Sequence, residues 1–438
     1  MHEFQYKNHN LYCENIKVED LAKKFSTPLY VYSYNTLIDH YLKLKKAFRQ
    51  INPLICYSVK ANSNLAILKT LVGRGAGLDI VSGGELFRAL KVGCPTQRIV
   101  YASVGKTDNE IRVALKRKIL FFNVESVAEL ENINRIAKGL SVVAAVAIRI
   151  NPDVEPRTHR FITTGKLTNK FGIDFDNAYG IFLLRHRFTN LKISGLHIHI
   201  GSQITESMPY LAAINKMIRF INRLKEIGVY LEYLNIGGGL GIIYNKETPQ
   251  TAQKFAQKVL PLLKKTGLKI IMEPGRFIVG NSGILVTKVL YIKSTPLKKF
   301  VIVDGGMNDL IRPALYEAYH QIIPTSSVSS AFGETSPLPS ASPRGECGGR
   351  PTSNEKVDIV GPICESADYF AKDRKLLKVD VGEYLAVMGA GAYGFSMSSN
   401  YNSRRRAAEV LVKGDKAFLI RKRENFEDLI HSEIIPKL

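Results

Sequence analysis

Lys60 closes an apolar run, Leu54-Ile55-Cys56-Tyr57-Ser58-Val59, and begins a series. Asp79, Arg149, His199 and the triplet Gly237-Gly238-Gly239 each follow a further apolar run. Glu273-Pro274-Gly275-Arg276 follows Leu268-Lys269-Ile270-Ile271-Met272. A buried strand gains nothing by ending in a charge unless something at that end uses it. Reactive groups at successive strand C-termini of a strand–helix chain describe the mouth of a (β/α)8 barrel, the end at which such barrels carry their chemistry. The spacing therefore predicts an enzyme.

A lysine at an apolar barrel mouth is partly desolvated, which lowers its pKa and frees the amine lone pair for a Schiff base with an aldehyde cofactor. The alternative is an ordinary surface lysine just past a strand. The glycines bear on that choice. Gly237-Gly238-Gly239-Leu240-Gly241 follows the seventh run and Gly275 the eighth, and the loops after strands seven and eight are where barrels often bind phosphate. Glycines there let backbone N–H groups approach an anion, although they could also be simple turns. A lysine nucleophile facing a phosphate site points to pyridoxal phosphate. Glu273 then has a task, because a carboxylate beside the pyridine nitrogen keeps it protonated and makes the ring an electron sink; its alternative is a surface Glu before a Pro turn. His197 and His199 share one strand face. Such a pair could ligate a metal, but no third ligand stands in suitable context, so none is expected. His199 fits better as an aromatic face over a cofactor ring, with His197 open to a core role.

Eight runs must position these groups: Leu54–Val59, Gly77–Val81, Arg98–Ala102, Ile119–Val124, Val142–Ile150, Ile193–Ile200, Tyr230–Ile236 and Leu268–Met272. Helical patterns separate them, three opening with capping-box spacing at Ser82/Glu85, Thr107/Glu110 and Ser126/Glu129. This predicts a (β/α)8 barrel over 35–280. Past residue 280 the pattern turns to strands: Ile284–Lys293, Lys299–Asp304, Leu376–Val381, Tyr384–Met388 and Ala408–Arg421, the last with a hairpin at Val412–Phe418. A β-sandwich or barrel-like domain is expected over 281–438. Residues 1–34, with Leu29-Tyr30-Val31-Tyr32, are expected to pack with it. The Ser/Pro/Gly-rich tract 325–355 has little to bury and reads as a disordered insertion.

The 438 residues exceed one barrel of about 250. No apolar run approaches the ~18 residues of a membrane span; the longest, Leu140–Ile150, contains Arg149. Met1-His2-Glu3-Phe4-Gln5 lacks the regions of a signal peptide. Five scattered cysteines without a CxxC pair disfavour a disulfide framework or structural zinc, so a reducing cytoplasm is expected. The net charge of +22 comes mostly from dispersed Lys and Arg. Arg404-Arg405-Arg406 is a tight cluster, but no nucleic-acid motif accompanies it, and neither a nucleic-acid nor a membrane partner is expected.

Six segments then occur in order: Tyr57-Ser58-Val59-Lys60-Ala61-Asn62, His197-Ile198-His199-Ile200-Gly201-Ser202-Gln203, Gly237-Gly238-Gly239, Glu273-Pro274-Gly275-Arg276, Gly361-Pro362-Ile363-Cys364-Glu365-Ser366 and Gly391-Ala392-Tyr393-Gly394. Together they resemble the diaminopimelate decarboxylases, alanine-racemase-like (fold type III) pyridoxal phosphate enzymes, over nearly the whole chain except 325–355. The resemblance implies that Lys60 carries the cofactor as a Schiff base, His199 stacks on its ring and Glu273 pairs with its nitrogen. Ser202, Gly238, Gly239, Gly275 and Arg276 would surround the phosphate, with Tyr393 close by and Asp79 and Arg149 orienting the network. Arg276, Arg312 and Tyr316, beside Tyr393, would hold the distal carboxylate of meso-2,6-diaminopimelate, and Glu365 its distal ammonium. Cys364 would donate a proton from the second subunit of a homodimer with shared sites. The implied reaction yields L-lysine and carbon dioxide, the last step of lysine synthesis. Rivals on the same fold are decarboxylases of ornithine, arginine or carboxynorspermidine, a racemase, and a non-catalytic regulator that binds the cofactor. Two departures stand out: Arg404-Arg405-Arg406 where the pattern often reads Arg-Pro-Arg, and the insertion between Arg312/Tyr316 and Cys364.

Overall fold

The structure, a computed structural model, describes residues 2–155, 170–327 and 354–437. They form two compact units, one of Ile38–Ile278 and one of Met1–Leu37 with Val279–Leu438.

The first unit is a closed barrel of eight parallel strands: β1 (Leu54–Ser58), β2 (Gly77–Ile80), β3 (Ile99–Tyr101), β4 (Phe121–Val124), β5 (Ala144–Arg149), β6 (Leu191–His197), β7 (Tyr233–Asn235) and β8 (Lys269–Met272). Each strand lies inside the run that predicts it, except that β6 starts two residues earlier. β8 closes on β1 with Ile271 opposite Leu54 and Met272 opposite Ile55. Helices connect the strands, and the cap signals form. The Thr107 hydroxyl accepts from Glu110 N while the Glu110 carboxylate accepts from Thr107 N, a complete capping box. Ser82 and Ser126 accept from Glu85 N and Glu129 N, but those carboxylates reach one residue further back, to Val81 N and Glu125 N.

Side-chain alternation sorts the barrel interior into layers. Cys56, Val100, Phe121, Ala147 and Ile271 form one buried apolar cluster. Two residues beyond Cys56, Phe121, Ala147 and Ile271 come Ser58, Asn123, Arg149 and Glu273, joined by Asp79, His197 and Asn235 from β2, β6 and β7, all buried. The barrel is thus plugged by hydrocarbon and floored, toward the strand C-termini, by polar groups. Gly77 and Gly195 leave room for the apolar layer: a Cβ on Gly77 would lie 2.8 Å from Cys56 Sγ, and one on Gly195 2.6 Å from Tyr233 O.

The second unit is built on a nine-stranded sheet. Its main path runs Tyr369–Leu377, Asn354–Val360, Lys299–Val303, Gly283–Ser294, Leu29–Ser33, Ala408–Lys413, Lys416–Arg421. Tyr384–Val387 branches from Gly283–Ser294 and carries Ile322–Pro324. Leu29–Ser33 pairs antiparallel with Gly283–Ser294 and parallel with Ala408–Lys413. Val31, Ile284, Val286, Val410 and Val412 share its core with Leu11, Val18 and Leu21. Glu14 is a buried polar hub: its carboxylate accepts from Ser33 Oγ, Asn35 N, Asn35 Nδ2 and Gly414 N at 2.6–2.8 Å.

Several expectations are corrected here. The strand expected at Leu376–Val381 is Tyr369–Leu377, because Gly382, at φ +92°, turns the chain and Asp380 N bonds back to Glu383 Oε2. The sheet Phe4–Lys7, Asn10–Cys13, Ile16–Lys17 was not foreseen. The expected insertion 325–355 is too wide at both edges. Thr325 N donates to Tyr384 O, Ser327 N donates to His9 O, and Asn354 and Glu355 pair with Leu377 and Leu376. The rest of that tract lies outside the described residues. No described helix is long and apolar enough to cross a membrane.

Candidate active site

Glu273 sits one residue past β8, and three interior side chains converge on it. Asn123 Nδ2 and Asn235 Nδ2 both donate to Oε1, at 3.1 and 2.5 Å. His197 Nε2 stands 3.2 Å from Oε2, close but not aligned as a hydrogen bond. Burial alone would protonate this carboxyl, but His197 and then Lys60 outweigh burial and hold it below its ordinary range. It is a buried carboxylate kept ionised by its neighbours.

Lys60 lies in the short turn after β1, the strand beside β8, with its side chain 38% exposed; its Nζ is 3.8 Å from Asp79 Oδ2. The Ser58 hydroxyl donates to the same oxygen, while Asp79 Oδ1 is buried with no hydrogen-bond partner among the described residues. Burial, and then the charge of Glu273, push the Asp79 carboxyl up to about 8. The two carboxyls are driven apart: Glu273 ionised, Asp79 retaining its proton near neutrality. His199, just past β6, is pushed well below the ordinary histidine range by burial and by the charges of Lys60 and Arg149, so it presents an uncharged aromatic face. Arg149 pairs with Glu125 at 2.6 Å and its Nη2 donates to His199 O at 3.4 Å, while Glu125 Oε2 accepts from Gly172 N at 3.0 Å.

The glycine turn follows β7. Gly237 is at φ +67° and Gly239 at φ +101°. A Cβ on Gly238 would meet Glu273 O at 2.0 Å, and one on Gly239 would meet Gly201 O at 2.3 Å, so the turn admits no side chain. Gly238 N donates to His199 Nδ1 at 3.2 Å, and Tyr210 OH donates to Gly238 O at 2.8 Å. Arg276 reaches Ser202 Oγ through Nε (3.3 Å) and Nη2 (3.1 Å), and Tyr244 OH through Nη1 (2.7 Å). Gly275 is tightly enclosed: a Cβ there would lie 3.0 Å from both Ser58 Cβ and Ala61 Cβ. The barrel thus gathers Lys60, Asp79, Arg149, His199, Ser202, Gly238, Gly239, Glu273, Gly275 and Arg276 at one end of one unit.

The remaining candidates belong to the second unit. Cys364 and Glu365 are exposed on a loop where Cys364 N donates to Asn402 Oδ1 at 3.1 Å and Tyr401 OH donates to Glu365. Buried Arg312 meets His320 Nε2 at 2.8 Å, and His320 Nδ1 lies 2.8 Å from Met388 O. The imidazole thus accepts from Arg312 on one side and donates to the backbone on the other. Tyr316 ends the same short helix, Arg312–Tyr316. Tyr393, half-buried, is held at φ +58°, beyond Gly391, whose Cβ would lie 2.0 Å from Val279 O.

Sequence reasoning missed Asn123, Asn235, Tyr210, Tyr244, Glu125 and His320. It also missed Lys106, which is fully buried and donates to Ser103 O, Asn123 O and Glu129. A signal existed for the two asparagines, since each sits two residues past a core position on its strand, but its meaning depends on the barrel register.

These groups fit pyridoxal phosphate. An ionised buried carboxylate suits a protonated pyridine nitrogen, the unpartnered Asp79 Oδ1 leaves polar capacity beside the lysine, and the side-chain-free turn with Arg276 and Ser202 suits a phosphate. Residues 34–280 match the family model "Pyridoxal-dependent decarboxylase, pyridoxal binding domain". The diaminopimelate decarboxylase of Aquifex aeolicus is 46% identical, over 98% of this chain and 97% of its own. That of Haemophilus influenzae is 45% identical over 98% of each. The crystal structure of the Helicobacter pylori diaminopimelate decarboxylase complexed with L-lysine superimposes with TM-score 0.86 at 41% identity, covering 95% of this chain and 98% of that one. With the family model spanning the barrel and such relatives matching from end to end, the chain belongs to the diaminopimelate decarboxylases, within the pyridoxal-dependent decarboxylase family.

Proposed function

We infer that this enzyme converts meso-2,6-diaminopimelate to L-lysine and carbon dioxide with pyridoxal phosphate as cofactor. The observation that carries the site reading is the placement of Lys60 and an ionised Glu273 at the C-terminal ends of adjacent strands of one closed barrel. When bound, pyridoxal phosphate supplies an aldehyde that condenses with amines and a protonated ring that accepts the electron pair released as carbon dioxide departs. Lys60 Nζ would hold the cofactor through its amine. Glu273 would keep its charge against the ring nitrogen, and neutral His199 would cover the ring face. The Gly237–Gly239 turn, Ser202, Gly275 and Arg276 bind the phosphate, while Asp79 and Arg149 fix the lysine and histidine ends of the network.

Arg276, Arg312, Tyr316 and Tyr393 bind the distal carboxylate, and Glu365 the distal ammonium. The Cys364 thiol gives its proton to the carbon that has lost its carboxylate. Cys364 acts from the partner subunit of a homodimer, and its exposure supports that role. Free Cys13, Cys56, Cys94 and Cys364 support a reducing, cytoplasmic setting.

Incubating the purified protein with pyridoxal phosphate and meso-diaminopimelate should yield equimolar lysine and carbon dioxide. L-ornithine and L-arginine should be rejected by about 10⁴-fold or more in kcat/KM, because a site built for paired charges is left unpaired by the wrong substrate. Comparable turnover of ornithine would overturn the substrate assignment in favour of the rival decarboxylases.

A further inference from the structure

Asn235 touches two parts of the site at once. Its Nδ2 donates to Glu273 Oε1 at 2.5 Å, and its Oδ1 accepts from Gly237 N at 3.0 Å. It is fully buried at the end of β7, and its neighbours along the barrel wall are fixed by strand pairing. Asn123, from β4, makes only the first of these contacts, at 3.1 Å. One side chain therefore spans the carboxylate that serves the ring nitrogen and the first residue of the glycine turn, whereas the other serves the carboxylate alone. The turn has few alternatives: Gly237 is left-handed, and a Cβ there would lie 2.4 Å from Ile198 O.

We propose that Asn235 is a positioning residue that sets the register between the ring-nitrogen end and the phosphate end of the cofactor site, with Asn123 bracing the ring-nitrogen end only. This rests on the proposed roles of Glu273 and the glycine turn. A side-chain amide suits the task because it presents one donor face and one acceptor face about 2 Å apart, the donor face to a carboxylate and the acceptor face to a backbone N–H. A carboxylate in its place would repel Glu273, and a hydrocarbon would leave both partners unsatisfied in the interior. Glu273 N also donates to Gly237 O at 2.8 Å. The backbone thus brings the turn and the carboxylate together, and the Asn235 side chain fixes how each is aimed.

The test compares binding of pyridoxal phosphate with binding of pyridoxal, which lacks the phosphate, to cofactor-free protein, followed by the visible absorbance of the bound aldehyde. The ratio of the two dissociation constants measures what the phosphate end contributes. Asn123→Ala should weaken both ligands about equally, by about tenfold to a hundredfold, the range for losing a hydrogen bond to a charged group, and leave the ratio unchanged. Asn235→Ala should weaken both and also shrink the ratio by about tenfold. Asn235→Asp keeps the acceptor for Gly237 N but opposes Glu273, so it should weaken both ligands with the ratio intact. This variant keeps the comparison decisive if Asn235→Ala does not fold. An unchanged ratio in Asn235→Ala, a changed ratio in Asn235→Asp, or parental affinity in either overturns the proposal. A parental protein that binds no pyridoxal phosphate would instead overturn the cofactor assignment on which it rests.

Discussion

Borohydride reduction of the purified holoenzyme should fix a pyridoxyl group on Lys60, located by peptide mapping; a label on another lysine would displace Lys60 from its role. Asp79 offers a second measurement, on the cofactor-free protein. Its carboxyl is raised to about 8 by burial first and by Glu273 second, against about 3.9 in an unfolded chain. The protonated form is thus favoured by the fold. The stability it contributes is complete below about pH 4 and is lost as pH rises through about 8. Asp79→Asn imitates the protonated side chain at every pH, so its advantage over the parent should grow between pH 5.5 and pH 8.5. Urea unfolding at the two pH values checks this, and a difference that does not move with pH would show that Asp79 titrates as an ordinary carboxylate.

The glycine turn after β7 is the element most sensitive to one added atom. In Gly238→Ala the new Cβ would lie 2.0 Å from the backbone oxygen of Glu273, which cannot swing aside as a side-chain tip could. We expect a loss of about 1–3 kcal/mol in stability, the usual cost of overpacking, and at least tenfold weaker binding of pyridoxal phosphate. Gly267→Ala is the matched control. It caps the helix Ala252–Thr266 at φ +69° with nothing near its Cβ, so it should lose about 1 kcal/mol through backbone strain and leave cofactor affinity alone. Parental affinity in Gly238→Ala would show that the turn tolerates displacement. The barrel strands and the groups at their ends were legible because a charge closing a buried apolar run is a local signal. Asn123 and Asn235 were not, since a neutral amide in a strand acquires meaning only when the register aims it at a carboxylate from another strand. The sheet beginning at Phe4 escaped for a different reason: its first turn uses Asn8 and His9 at φ +46° and +64°, without the glycine that usually marks such a turn. Glu14 escaped too, because its donors come from residues 33, 35 and 414.

At the scale of the whole molecule, the proposed sharing of sites across a homodimer has a direct consequence. Lys60→Ala and Cys364→Ala proteins should each be nearly inactive. Mixed in equal amounts with free subunit exchange, about half the dimers would be heterodimers, each with one site that retains both residues. Activity should then approach about a quarter of the parental value under two-fold symmetry. Exchange verified by native mass spectrometry without recovered activity would mean that Cys364 serves its own chain or does not serve the reaction. The change of rhythm near residue 280 was visible in the sequence because alternating strands and helices give way to strands alone. The return of the chain's beginning to the second unit was visible only as the apolar run Leu29–Tyr32.

Leu29–Ser33 lies between Gly283–Ser294 and Ala408–Lys413, with Leu29 opposite Ala408. During synthesis it precedes the whole barrel, yet it cannot gain its second neighbour until residue 413 has been made. At about 5–20 residues per second that interval is roughly 20 to 80 seconds. The barrel, whose strands all fall between residues 54 and 272, can close within it. An apolar strand thus waits with both edges unpaired while a complete barrel forms downstream of it.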